Sequence, residues 1–593
     1  MIENNFIKEP SVTNFIELIN AAKSLSTEHC EKKIKIALVT NFASAHLKTL
    51  LEVLLNLNKI DAQIYCPTFG LIETEVINPD SKMYKHEPDM VVILQSVQTL
   101  SFEYYNRKTD KFGYEQHILE KTFALWEGVR LNSNARIIQG NFVEPLNRPF
   151  GNFDAKIPWA LTSIVKSINY KIGEKLRSED NILFFDVNSL SSYYGRENWL
   201  DETGWHDSKM YCSLKYLPQV AKSISDICTA AYIKTTKCVV LDLDNTIWGG
   251  VIGDDGIEGI DLSPEGEGAA FMAFQSYLLS LKQRGIILAV ASKNNHDIAI
   301  DAFRNHPYMV LKESDISVFA INWHNKADNI QMIKETLNIG FDSMVFLDDN
   351  PVERALVTQF LPEVTVPDLP RNPANYLCEI SKYNLFETVS FSDEDRSRGK
   401  MYIEQIKRTE ASKQFTNIDE FLRSLEMEAT IDSFQQKNMN RIVQLTQKSN
   451  QFNLTTNRYN SEEILSIIAD STLKTFTVSL KDKFGDYGII STIVLKTKEN
   501  KLLIEQWLMS CRALSRGVES MMMNHIFNFA KTKSLETIIG KYSPNKKNNL
   551  VKDFYKNFKF NKINNENETQ ELWHKKTSEF IEENFYIKVN EQG

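Results

Sequence analysis

Asp242 and Asp244 stand two residues apart in DLDNT, directly after the apolar run KCVVL. Carboxylates at the C-terminal end of a buried strand project toward the crevice where open α/β sheets hold ligands. One can attack phosphorus while its neighbour handles the leaving-group proton. On its own such a pair also reads as a helix cap or a solvated turn. Three further elements supply the rest of a phosphotransfer site. Ser292 follows IILAVA and offers a hydroxyl to a phosphate oxygen. Lys326, in NWHNKADN, offers an ammonium against phosphate charge. Asp348 and Asp349 follow MVFL and offer hard oxygen ligands. Phosphoryl transfer needs positioning and charge neutralisation more than bond chemistry. Mg2+ suits such a site, because it takes a few carboxylates and completes its shell with water and substrate phosphate.

These residues need a sheet to hold them, and the apolar pattern supplies one. Short β-branched runs at IKIALVT (34–40), AQIYCP (62–67), MVVILQS (90–96), RIIQGNF (136–142) and ILFFDV (182–187) alternate with helical periodicity. Such alternation predicts a parallel sheet covered by helices. A lead-in helix is expected within residues 1–30, and this first domain is expected to span 1–230. A second strand–helix series carries the carboxylates and spans 235–370, closing with EVTVPDLP (363–370). Residues 371–430 read as a helical connector. Residues 431–593 read as an α+β domain with strands around FGDYG and at KLLIEQWLMS, then a helix at GVESMMMNHIFNFAKTK.

Composition narrows the function classes. The chain has 593 residues, 42% hydrophobic and 24% charged, with 34 Phe, 21 Tyr and 8 Trp, which is enough apolar surface for several cores. A net charge of −9 argues against a broad nucleic-acid footprint. No stretch approaches a membrane span, and the opening MIENNFIKEP has no basic-then-apolar leader pattern. Seven scattered Cys without CxxC pairs fit a reducing compartment, so a cytoplasmic location is expected.

The order of the motifs resembles the haloacid dehalogenase-like (HAD) superfamily of phosphotransferases. The resemblance implies a Rossmann-like domain with Asp242 as nucleophile and Asp244 as general acid/base. It further implies that Thr246, Ser292 and Lys326 hold the phosphoryl group, and that Asp242, Asp348 and Asp349 hold Mg2+ with the backbone carbonyl of Asp244. About 40 residues separate the first two motifs, which leaves room for only a minimal cap.

Longer words are more specific. DLDNTIWGGVIGDDGIEGI, FQSYLLSLKQRGIILAVASKNN, VFLDDNPVERALV, QKSNQFNLTTNR, FGDYG and SCRALSRGVES resemble FkbH-like proteins. The resemblance implies loading of a glyceryl unit from 1,3-bisphosphoglycerate onto the phosphopantetheine arm of an acyl carrier protein, with phosphate removal, in polyketide- or tetronate-type biosynthesis. Cys511 follows a strand and adjoins Arg512, with Arg516 nearby; a guanidinium favours the nucleophilic thiolate. A buried structural Cys is the plain alternative, and the family likeness makes Cys511 the acyl-holding residue, with Arg512 and Arg516 at its substrate. The same segment is similar to GNAT acetyltransferases, with RALSRG in place of the phosphate-binding turn. Ser515 stands where that turn has Gly, which weakens a coenzyme A role. FYKNFKF (554–560) resembles the closing strand region of that fold, and Tyr555 the position of its Tyr acid.

Domain one resembles SGNH-type (flavodoxin-like) esterases around Asn141, but Thr40-Asn41-Phe42 supplies no Ser, so a non-catalytic domain is expected. Lysines across 531–562, among them Lys546, Lys547 and Lys552, are expected to attract an acidic carrier. The competing readings are a plain Mg2+-dependent phosphatase on a small metabolite, a non-enzymatic scaffold, and an acetyl-CoA-dependent acetyltransferase.

Overall fold

The computed structural model describes residues 15–107, 111–233, 235–391, 396, 399, 401, 402, 404, 407, 408, 411, 412, 414, 415, 417–449, 451–545, 548–563 and 570–591. The chain divides into two compact units, residues 1–280 with 288–391, and residues 281–287 with 392–593.

The first unit opens on a parallel sheet of β1 (Lys32–Thr40), β2 (Ile60–Tyr65), β3 (Met90–Leu94), β4 (Arg136–Gly140) and β5 (Ile182–Phe185), in the order β2-β1-β3-β4-β5. The period-two geometry of a strand sorts its side chains. Ile34, Ile36 and Leu38 of β1 face one core with Leu47, Leu51, Val220 and Ile224. Ala37 and Val39 face the other, with Ile118, Leu125, Ile164 and Val165. Helices Ala45–Leu57 and Leu217–Tyr232 therefore cover one face, and Tyr114–Asn132 and Leu161–Leu176 the opposite one.

The second sheet contains β6 (Cys238–Leu241), β7 (Ile287–Ser292), β8 (Val318–Ile321) and β9 (Met344–Leu347), in the order β8-β7-β6-β9. Residues CVVL, ILAVAS and MVFL are buried throughout, as strands covered on both faces require. Between β6 and β7 lie the short helix Ile252–Gly259, interrupted at Gly256, and the helix Gly266–Gln283. EVTVPDLP forms no strand of its own; it contributes a single bridge from Thr365 to Val345.

The segment read as a connector is shared between the units. Residues 371–391 are fastened to the first: Thr236 Oγ1 donates to Leu385 O (2.6 Å), Lys222 Nζ to Tyr383 O (3.2 Å), and Val389 packs on the N-terminal core. In the second unit the sheet starts at β10 (Met427–Asp432), four residues ahead of the boundary expected at 431. It continues with β11 (Phe452–Asn453), β12 (Leu473–Asp482), β13 (Gly485–Lys498), β14 (Lys501–Met509), β15 (Thr537–Tyr542), β16 (Asn561–Ile563), β17 (Glu571–Lys576) and β18 (Ile587–Glu591). The order is β16-β17-β15-β14-β13-β12-β10-β18, a mixed sheet. The helix Val518–Thr532 lays Met521, Met522, Ile526 and Phe527 into its core. In FYKNFKF, the residues Phe554–Asn557 form a helical turn rather than a strand. Multidomain α/β architecture is thus present as two parallel sheets and one mixed sheet. Among the described residues no helix is long and apolar enough to cross a membrane.

Candidate active site

Three strand ends of the second sheet meet. Leu347 O accepts from the Asp242 N–H at 2.9 Å, which locks the end of β6 to the end of β9. Asn245, with φ 53°, turns the chain back, and Thr246 and Ile247 donate their N–H groups to Leu243 O. The two aspartate loops are tied again through Thr246. Its buried hydroxyl accepts from Asp349 N (3.1 Å) and donates to Asp349 Oδ1 (3.4 Å).

Lys326 is the first residue of the helix Lys326–Leu337, where Asn325 caps the N-terminus by accepting from Asp328 N. Its side chain is 2% exposed. The ammonium donates to Ala291 O (2.8 Å), forms an ion pair with Asp242, and lies 3.3 Å from Asp348 Oδ2. Ser292, one residue after that carbonyl, is buried at the end of β7. The predicted nucleophile, phosphate-binding serine and lysine, and paired acids therefore converge in one place.

One oxygen from each of Asp242, Asp348 and Asp349 lies within 4.8 Å of the others. Asp242 Oδ1 and Asp348 Oδ2 are buried and make no hydrogen bond; their compensating charge is the Lys326 ammonium. Burial, reinforced by the Asp242 charge and opposed by Lys326, pushes the Asp348 carboxyl up to about 7. Asp349 is raised by the same burial and the same neighbour. Three crowded carboxylates facing one ammonium leave room for further positive charge, and oxygen donors at this separation fit Mg2+. A bound Mg2+ would neutralise phosphate oxygens and the developing charge of transfer. Asp348, Asp349 and Asp242 are the residues to hold it.

Asp244 is held differently. Its Oδ1 accepts from Trp248 Nε1 (2.9 Å) and Ile252 N (3.1 Å), and its Oδ2 from Asn294 Nδ2 (2.9 Å). Its side chain lies outside the three-carboxylate cluster, leaving a fixed carboxylate two residues from Asp242. Four residues that support the site were not singled out from the sequence. Asn294 also donates to Ser292 Oγ (3.3 Å) and so couples the serine to Asp244. Trp248 holds Asp244 from the other side. Arg354 Nη1 donates to the carbonyls of Asp348 (2.9 Å) and Asp349 (2.7 Å). Tyr376 Oη donates to Asn245 O at 2.8 Å. The only sequence signal for any of them was membership of a family word, as for Asn294 in ASKNN and Arg354 in NPVERALV.

In the second unit Cys511 begins a short 3-10 turn just past β14; its side chain lies outside the described residues. Arg512 Nε donates to Ser510 Oγ (3.4 Å), and its Nη1 faces Met401 Sδ. Arg516 stacks over Phe421 with 5.6 Å from guanidinium carbon to ring centroid, its Nε buried without a hydrogen bond. A small cavity lies among Met401, Glu404, Arg408, Asp486, Tyr487 and Arg512. Beside it Arg408 makes a buried two-point pair with Asp482 at 2.7 and 2.8 Å, and Tyr487 Oη donates to the same carboxylate. Asp486 is exposed and accepts from Gly488 N, as a turn residue does.

Two features mark the segments around β14 and the RALSRG turn. β14 stays with β15 only over Lys501–Ile504, and its last residues, Leu508 and Met509, pair with β11 instead. Leu454 N donates to Trp507 O, and Ser543 N donates to Leu454 O, so residues 452–454 bridge β14 and the residue after β15. Ser515, at φ 59°, donates its N–H to Glu519 Oε1 (3.4 Å). A carboxylate thus accepts from the backbone of the RALSRG turn. Asn453 Oδ1 accepts from Thr456 N in a local turn, and Tyr555 is a fully buried core ring against Phe554 and Phe560. Asn450, Lys546 and Lys547 lie outside the described residues.

In domain one, Asn141 Nδ2 donates to Asp186 Oδ1 (2.7 Å) and its Oδ1 accepts from Asn188 N. Asn41 Oδ1 accepts from Ser96 N (2.8 Å). The polar groups at this strand edge are bonded to one another.

Comparison with known proteins fits this geometry. The profile of the FkbH N-terminal domain matches residues 35–229. The N-terminal part of the protein BF1531 from Bacteroides fragilis, a crystal structure containing a phosphatase domain complexed with Mg, is 38% identical. That likeness has a TM-score of 0.61 and covers 64% of this chain and 100% of the other. The chain belongs to the FkbH-like family. Its first unit carries the family's phosphatase domain, and the three-carboxylate cluster lies inside it. A search of curated proteins found no match. The ribosomal-protein-S18-alanine N-acetyltransferase from Escherichia coli is 11% identical, covers 25% of this chain and 94% of its own, and has a TM-score of 0.21. A probable acetyltransferase from Staphylococcus epidermidis is 17% identical, with 25% and 99% coverage and a TM-score of 0.20. Likeness at that level carries no assignment for the C-terminal unit.

Proposed function

We propose that this FkbH-like protein is a glyceryl transferase and phosphatase. It would take a three-carbon unit from 1,3-bisphosphoglycerate, hold it on Cys511, pass it to the phosphopantetheine thiol of an acyl carrier protein, and remove the remaining phosphate. The observation that carries the reading is the convergence of Asp242, Lys326, Asp348 and Asp349 around one buried centre, in a chain whose family membership is established.

The chemistry balances with the residues present. The Cys511 thiolate attacks the C1 carbonyl; a C–S bond forms, the C–O bond to phosphate breaks, and inorganic phosphate leaves with the electron pair. The carrier thiolate then displaces Cys511, which departs as thiolate. At the other centre the Asp242 carboxylate attacks the phosphorus of the phosphoryl group on C3. The ester P–O bond breaks, and the departing oxygen takes a proton through Asp244. Water, deprotonated by Asp244, attacks the aspartyl phosphate, frees phosphate and restores Asp242. Lys326 and Ser292 orient the phosphoryl oxygens throughout.

Intact-protein mass spectrometry with 1,3-bisphosphoglycerate tests the reading. A thioester adduct on wild type that is absent from Cys511→Ala supports it, and an adduct that persists in Cys511→Ala refutes the thioester role. Mg2+-dependent phosphate release with no adduct and no response to carrier would reduce the protein to a small-molecule phosphatase.

A further inference from the structure

We infer that the N-terminal domain carries the docking face for the carrier protein, on an exposed aromatic and basic patch formed by the helix Val97–Asn106, residue 111 and the turn at 150–156; this rests on the function proposed above. Phe102 is 71% exposed, Tyr105 50%, Phe150 43% and Phe153 54%. Phe102 and Tyr105 are three apart on one helix and share its outer face. Two contacts bring the turn alongside that helix. Tyr104 Oη donates to Trp159 O (2.6 Å), and the Phe150 ring stands edge-on to Trp159 at 5.4 Å. Scattered exposed apolar side chains are ordinary, but a group of four large rings on adjoining elements marks a partner surface.

Charge selects the partner. Lys111 Nζ lies 4.6 Å from the Tyr104 ring and 5.9 Å from that of Tyr105, and Lys156 Nζ lies 5.5 Å from the Phe153 ring. Two carboxylates among the described residues of these elements are already engaged. Asp154 is buried and accepts from Phe150 N and Thr162 Oγ1, while Glu103 is paired with Lys121. A basic aromatic face on a chain of net charge −9 is complementary to a small acidic protein, which is the character of acyl carriers. Of the C-terminal lysines, Lys541 and Lys562 are paired with Glu505 and Glu571, while Lys546 and Lys547 lie outside the described residues.

The test is steady-state loading of a phosphopantetheinylated carrier by the full chain. It compares wild type with Phe102→Ser/Phe153→Ser and with Lys111→Glu/Lys156→Glu, all changes at surface positions. The inference predicts a KM for carrier raised about tenfold or more in each variant, with unchanged acyl capture on Cys511, unchanged carrier-independent phosphate release, and a flattened salt dependence in the charge-reversed protein. If wild type loads the carrier and both variants keep its KM, the inference is overturned. If wild type is a dimer that the Phe variant dissolves at constant KM, the patch belongs to a second copy and the inference is likewise overturned. Failure of wild type to load any carrier overturns the proposed function itself.

Discussion

Replacing Lys326 by Met removes the one ammonium that faces two buried carboxylates. Its nitrogen lies 3.3 Å from Asp348 Oδ2, and both side chains are almost fully buried. At an effective dielectric near 20, that separation corresponds to about 5 kcal/mol of attraction. The lysine's own desolvation offsets part of this, and removing one member of a buried pair costs about 3–5 kcal/mol in practice. The cost must depend on pH, because it arises from carboxylates left charged without a counterion. Asp348 is already raised to about 7 by burial and by Asp242, and losing Lys326 raises it further. A raised acid binds its proton in the folded chain and not in the unfolded one; since Asp348 already stands at about 7 in wild type, the variant's extra loss of stability opens as pH rises above about 7. Urea unfolding of the metal-free proteins at pH 5 and pH 8 measures it. The variant should lose about 1 kcal/mol more at pH 8 than at pH 5, and added Mg2+ should rescue the variant more than wild type. Equal stability at pH 8, or a loss of the same size at both pH values, would refute the electrostatic reasoning.

Other consequences follow from the same geometry. In metal-free wild type, raising Asp348 from 3.8 to about 7 is worth about 4 kcal/mol, lost progressively as pH climbs between those values; Mg2+ affinity should fall on acidification below about pH 7, as calorimetric titration across pH 5.5–8 would read. Asn294→Ala leaves the metal carboxylates untouched but frees Asp244 Oδ2 and Ser292. Phosphate release should drop about 10–100-fold at unchanged Mg2+ affinity. Gly540→Ala drives a methyl group into the fully buried Tyr555 ring, so thermal unfolding should report a loss of about 2 kcal/mol or more.

The sequence showed the phosphotransfer centre because its members are charged residues at the ends of uniformly apolar strands, where burial and charge conflict unless chemistry resolves them. Asn294, Trp248, Arg354 and Tyr376 escaped notice because each acts through geometry. An amide, an indole, a guanidinium and a phenol have many uses, and only the folded chain shows that these four bond to Asp244, to the Asp348–Asp349 carbonyls and to Asn245 O. Strand alternation located both parallel sheets. The likeness of FYKNFKF to a closing strand region rests on resemblance alone; its Phe554–Asn557 form a helical turn, and the strand β16 begins just after it at Asn561. The strand β10 begins inside the span expected as connector because Met427, Ala429 and Ile431 alternate with polar residues over only six positions.

The central claim is that Asp242, Lys326, Asp348 and Asp349 form one Mg2+-dependent phosphoryl-transfer centre. Phosphate release from acetyl phosphate by wild type and Asp242→Asn, with Mg2+ and with chelator, tests it most directly. The account predicts turnover by wild type that chelation abolishes and that Asp242→Asn lowers by about a thousandfold or more. Turnover by Asp242→Asn at the wild-type rate, or turnover indifferent to Mg2+, would contradict it.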